Sequence, residues 1–157
     1  MRNQLRLAAL MVFLLNFAVS QQPADKKKPS ENCGDLKTQM EITSCWENLA
    51  RKAESELTAL YQKVQKAIRA QMAEDDASMK TRAAAATMRI YRQGALEKLN
   101  TAQRAWTHYR DAQCDAEEQQ YEGGSIAPSV HAGCMKQMAE RRMDDLQKTY
   151  AIYLRSN

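Results

Sequence analysis

The sequence predicts an all-α protein: an elongated antiparallel three-helix bundle held by two disulfides. Three observations carry that expectation. Apolar residues recur at helical spacing over long stretches. The chain has only three prolines and few β-branched residues, against many Ala, Glu, Lys, Gln, Arg and Met. Its four cysteines, Cys33, Cys45, Cys114 and Cys134, all follow a segment that reads as an export signal.

That segment has Arg2 and Arg6, an apolar run from Leu7 to Val19 broken only by Asn16, and small residues at Ala18 and Ser20. The run of 13 residues is short of the roughly 20 that a spanning helix needs. Residues 1–20 therefore read as a signal peptide cleaved after Ser20, leaving no stable membrane insertion. Residues 21–32 carry Pro23, Pro29 and Lys26-Lys27-Lys28 and read as a flexible leader. The remaining 33–157 are long enough for one helical domain and not for two. The full chain carries a formal charge of +4, and removing Arg2 and Arg6 with the acid-free signal lowers it to +2. Charges of both signs are interspersed, with no basic stripe to suit a nucleic acid.

The first helix opens at Thr38, because Thr38-Gln39-Met40-Glu41 has the capping-box pattern. Its apolar stripe is Ile42, Cys45, Trp46, Leu49, Ala53, Leu57, Leu60, Tyr61, Val64 and Ile68. The stripe lapses around Glu74-Asp75-Asp76, which sets the expected break. Ala83 to Ala86 then favour helix again. The second helix presents Met88, Tyr91, Ala95, Leu99, Ala102, Trp106 and Tyr109, all within about 60° of Trp106 on a helical projection. Gly94 interrupts it at a cost of about 1 kcal/mol against alanine, tolerable where packing is tight. Gly123 and Gly124 end this helix, and Pro128 suits the first turn of a third. The third stripe holds Cys134, Met135, Met138, Leu146, Ile152 and Tyr153. The seven methionines after the signal are expected mostly to fill these stripes.

Five polar residues project towards or beside the core: Glu56, Gln103, Arg110, Arg142 and Asp145. An unpaired buried charge costs several kcal/mol, so they are expected to pair as an interhelical layer that sets register. The rival reading makes this layer an active cleft. It lacks an activated nucleophile and a base with an orienting partner, so no catalytic residue and no enzyme activity are assigned.

Four cysteines allow three pairings, and sequence alone does not choose among them. Helix geometry favours Cys33 with Cys45 and Cys114 with Cys134, because each pair flanks an expected turn. A metal site would draw on His131 and Cys134, four positions spanning one helical turn, or on His108 near Cys114. His108 and Cys114 face different sides of one helix, so neither a metal nor another cofactor is expected.

The chain resembles the lysozyme inhibitor LprI-like family over about residues 33–147. The matching pieces are Cys33, Thr38 to Glu41 and Cys45; Ala53 to Leu57 with Tyr61; Gln103-x-x-Trp106-x-x-Tyr109-Arg110-Asp111-x-x-Cys114; Gly123 to Pro128; and Cys134, Arg142 and Leu146. Glu54 and Thr58 depart from the family's tendency towards Asp and Asn, and the Ala83–Ala86 region is longer than usual. The resemblance implies a small, disulfide-held, helical, periplasmic or secreted protein. For some relatives it implies inhibition of lysozyme, without a defined set of inhibitory residues.

A binding role of that kind makes a physical demand. Lysozymes of the animal type are cationic, and a negative face speeds association with them. The near-neutral mature chain must supply that face locally. Asp111, Asp115, Glu117, Glu118 and Glu122 form such a cluster beside the glycine loop. The expected contact surface is this cluster with the loop from Tyr121 through Gly123, Gly124 and Ser125 to Pro128. The function expected is an exported, non-enzymatic binding protein that occludes a cell-wall-degrading enzyme. The alternative is a periplasmic structural, adaptor or toxin-immunity module.

Overall fold

The computed structural model describes residues 32–155. The expected signal peptide, and the leader up to residue 31, lie outside the described residues. Those described form a 3-10 turn (Cys33–Asp35), α1 (Gln39–Ser78), α2 (Arg82–Gln119), α3 (Ala127–Thr149) and a short α4 (Ala151–Arg155), with no strand among them. None of these helices is long and apolar enough to cross a membrane.

The capping box starts α1 as the sequence demands. The Glu41 N–H donates to the Thr38 hydroxyl at 3.2 Å, and the Thr38 N–H donates to the Glu41 carboxylate at 3.1 Å. From there α1 runs 40 residues, roughly 60 Å at about 1.5 Å per residue. It continues past the expected break at Glu74–Asp76 and stops only before Met79. Asp75, which looked like a loop residue, is buried against Arg92 of α2. Thr81 then caps α2 by accepting the Ala84 N–H at 3.2 Å.

Helices α1 and α2 form a long antiparallel hairpin. Its register is marked by the Tyr61 hydroxyl and the Gln65 amide, which donate to the Asn100 side-chain oxygen at 2.6 and 2.7 Å. Helix α3 returns alongside α1. The Gln39 amide donates to the Ser129 hydroxyl at 3.0 Å, which places the starts of α1 and α3 together. The three stripes bury against one another, giving the expected three-helix bundle.

Its main core is Ala53, Leu57, Val64, Ile68, Leu99, Ala139 and Leu146, and a smaller one joins Cys114, Cys134 and Met138. Trp106 packs against both. The inward face of α2 differs from the apolar projection. Tyr91 and Tyr109 are 69% and 59% exposed, and Ala102 is also exposed. Arg92, Leu96, Leu99, Gln103, Trp106, Arg110 and Cys114 turn inward instead. They follow alternating steps of mostly four and three, the seam of supercoiled helices, with three polar members, of which Gln103 and Arg110 were expected on the core side and Arg92 was not.

Two further expectations fail. Ile152 is 75% exposed, because the helix breaks at Tyr150 and α4 restarts in a different phase. Gly94 does not mark a close approach either, since an added Cβ there would meet nothing within 4 Å. The methionines, by contrast, mostly fill the stripes as expected: Met138 is buried, five others are half-buried, Met135 and Met143 among them packing on the cores, and Met40 is 78% exposed.

Candidate functional site: the cross-linked end of the bundle

Both disulfides lie at the end where α1 and α3 begin and α2 finishes. Cys33–Cys45 ties the 3-10 turn to α1, with Cα atoms 5.7 Å apart, and Cys114–Cys134 ties α2 to α3 at 5.5 Å. This is the pairing that helix geometry favoured. On the chain-entropy model, loops this short contribute about 3 kcal/mol each. Small residues let the helices close there: Ala127, Ser129 and Ala132 are buried on α3, and a Cβ on Gly133 would touch the Trp46 ring at 3.9 Å.

Behind this end lies a polar layer whose membership differs from the expected one. Arg110 is buried and forms an ion pair with Glu54 of α1, while its guanidinium also donates to Asp111 at 2.6 and 2.8 Å. Glu54, one residue after buried Ala53 and three before buried Leu57, stands at the core edge. Glu56 is turned away from that face, exposed, and paired with Lys52 at 3.9 Å. Arg142 donates to the Gln103 side-chain oxygen at 3.1 Å, whereas Asp145 is exposed. Both guanidinium groups also approach Trp106, Arg110 at 5.2 Å and Arg142 at 5.8 Å from the ring centroid, within cation–π range. The observed layer is therefore Glu54, Gln103, Trp106, Arg110, Asp111 and Arg142. All its charges have partners, which fits a structural role.

The turn from α2 to α3 projects beyond that layer. Gly123 takes φ +78°, a left-handed conformation that a side chain would strain. A Cβ on Gly124 would press on the Tyr121 carbonyl at 3.1 Å, so this position too is restricted to a small residue. Tyr121 and Ile126 are each 46% exposed, and Ser125 shares a shallow surface with Met40 and Glu47 of α1. Met40 and Ile126 thus add apolar area that the acidic residues alone did not suggest.

The five acids do not form one uniform patch. Asp111 is engaged by Arg110 and only half-exposed, and half-buried Glu117 accepts a hydrogen bond from Gln113 at 3.0 Å. Asp115 is exposed and lies 3.4 Å from the His131 Nε2 of α3. Glu118 and Glu122 line a depression of about 290 Å³ together with Asp115, Gln119, Gly123 and Ala127. The Gln119 amide donates to Glu122. Asp115, Glu117 and Glu118 sit at the negative end of the α2 dipole, and no basic residue occupies its last turn. Helix stability disfavours that placement.

Four of the five expected acids lie at the surface of this end with the glycine turn, while Asp111 is drawn into the buried layer. His131 was recognisable only as a metal ligand beside Cys134, and that pair is unavailable because the Cys134 sulfur is in the disulfide.

The family model described as lysozyme inhibitor LprI matches residues 30–146. A similar protein from Rhizobium meliloti (strain 1021), called uncharacterized protein R02472, is 33% identical over 129 residues, spanning 80% of this chain and 84% of its own length. No solved structure matches. The match runs from just before the first cysteine through the whole cross-linked end to Leu146, and on that extent the chain belongs to the LprI lysozyme inhibitor family.

Proposed function

We propose that the chain is an exported, non-enzymatic binding protein that occludes a lysozyme-type enzyme with the cross-linked end of its bundle. The observation that carries the reading is the acidic end of α2. Asp115, Glu117 and Glu118 add negative charge where a helix is already negative, and Glu122 follows directly. Sequence features that work against local stability are expected at functional sites. A negative surface is what a cationic enzyme approaches fastest.

The rest of the end suits a contact. Tyr121, Ile126 and Met40 offer exposed apolar area beside the charges, and interface cores favour tyrosine and methionine. The Cys114–Cys134 bond and the left-handed Gly123 hold the turn in one shape, which lowers the entropy lost on binding. The disulfides themselves fit an oxidising compartment outside the cytosol.

The test is lysis of bacterial cell walls by several purified lysozyme types, with and without the oxidised protein. Dose-dependent protection from at least one type, weakened by reversing Asp115, Glu118 and Glu122 to lysine and by raising salt, is the expected result. Undiminished lysis by all types, with no complex on a sizing column, overturns the reading.

A further inference from the structure

The geometry points to a divalent-cation site of the zinc class between α2 and α3, ligated by Asp115, Glu118 and His131. One donor atom from each of the three residues falls in a group with all separations within 4.8 Å. Asp115 and Glu118 are three apart on one helix, so their carboxylates share a face. His131 reaches them from the facing helix, its Nε2 3.4 Å from an Asp115 oxygen. Two donors each about 2.1 Å from a tetrahedral zinc stand about 3.4 Å apart, so this pair already has the spacing the ion needs. The Glu118 oxygen lies within 4.8 Å of both other donors, within reach of a side-chain adjustment that would bring it to the ion.

The surrounding structure favours such a site. Cys114 immediately precedes Asp115, and Cys134 lies one helical turn after His131, so the disulfide fixes the distance between the two ligand-bearing segments. The donors stand at the negative end of α2, where a cation offsets both the helix dipole and the crowded carboxylates. One imidazole nitrogen with two carboxylate oxygens suits a borderline cation better than calcium or magnesium, which prefer all-oxygen shells. Three protein ligands would leave one position of a tetrahedral zinc for water, and Asp115 and Glu118 also line a depression of about 290 Å³, ample for it. The alternative is a plain Asp115–His131 ion pair that selects no metal. The inference is independent of the partner's identity, and a bound ion would leave Glu117 and Glu122 as the remaining acids of the negative surface.

The experiment uses tag-free, oxidised protein stripped with a chelator and titrated with zinc chloride in a calorimeter. One equivalent bound, unaffected by millimolar magnesium, is expected. Asp115→Asn and His131→Ala should each weaken uptake at least tenfold, while His108→Ala, on the exposed face of α2, leaves it unchanged. Asp115 is exposed, so its variant folds and isolates the ligand effect; circular dichroism checks each variant. Zinc should also raise the melting temperature of the parent and not of His131→Ala. No stoichiometric uptake, equal uptake by the parent and both ligand variants, or displacement by magnesium overturns the site.

Discussion

The two ends of this bundle are held by different physics. At one end two covalent bonds, a capping box and a run of small residues on α3 lock three helices around a glycine turn. At the other, the α1–α2 hairpin tip is closed by polar contacts. Arg92 pairs with Asp75 and donates to the Tyr153 hydroxyl at 3.2 Å, while Arg89 holds Asp76 at 2.6 Å. No residue of α2 before Leu99 is buried, and Ile90 and Tyr91 are 72% and 69% exposed. The difference separates two jobs. The covalent cross-links sit where the proposed acidic and apolar contact residues lie, and the distal tip is left to non-covalent pairs, one buried (Arg92–Asp75) and one exposed (Arg89–Asp76).

The largest expected effect comes from the covalent end. Replacing Cys114 and Cys134 together by serine should cost about 3 kcal/mol on the loop-closure model, read as a fall in melting temperature of the oxidised protein. Arg89→Met at the opposite end should cost less, about 0.2–1 kcal/mol, because its pair with Asp76 is largely open to solvent. Equal losses from the two changes would break the division between the ends.

Acid sharpens the same comparison. The hydrogen bond from Arg92 holds the Asp75 carboxyl below its ordinary range against the cost of burial, with Gln71 adding to it. A carboxyl lowered in the folded state stabilises the fold above its unfolded value of about 3.9, and that gain is lost as pH falls through the lower folded value. Below about pH 4 the tip should therefore loosen before the disulfide end. Tyr153 ring resonances followed against pH would report it, and Asp75→Asn should remove the transition.

The smallest effect is a gain. Gly94 lies mid-helix with open space around it, so Gly94→Ala should add about 0.5–1 kcal/mol to stability by restricting the unfolded chain. Denaturant unfolding would measure it. A destabilised variant would mean that the tip needs glycine for a contact this structure lacks.

The legibility of the fold follows the same boundary. Thr38 and Glu41, the cysteines, Gly123 and Pro128 are local chemical signals, and the disulfide end they define was readable from them. The break near Glu74 was misplaced because burial of Asp75 depends on Arg92, seventeen positions away and unmarked by any local pattern. The face of α2 was misjudged for a related reason. Gln103 and Arg110 were placed on the core side, but Arg92 was not, because its inward position depends on Asp75 of α1 and Tyr153 of α4. The apolar character of Tyr91, Ala102 and Tyr109 counted for burial that the packing does not give them. Glu54 was passed over for Glu56 because a projection of one helix cannot show where Arg110 reaches. The break at Tyr150 carries neither proline nor glycine, so α4 gave no warning.

At the candidate site, the glycine turn and its acids were visible in sequence. The placement of His131 beside Asp115 was not, since it depends on how α3 packs across α2. Met40 joins the surface by the same route, through the return of α3 to the start of α1.

The most direct test of the central claim is hydrogen exchange of the oxidised protein in complex with a lysozyme that it binds. Slowed exchange across residues 111–128 and at the start of α1, with residues 76–98 unchanged, is the predicted footprint. Protection confined to the hairpin tip would contradict the assignment of binding to the cross-linked end.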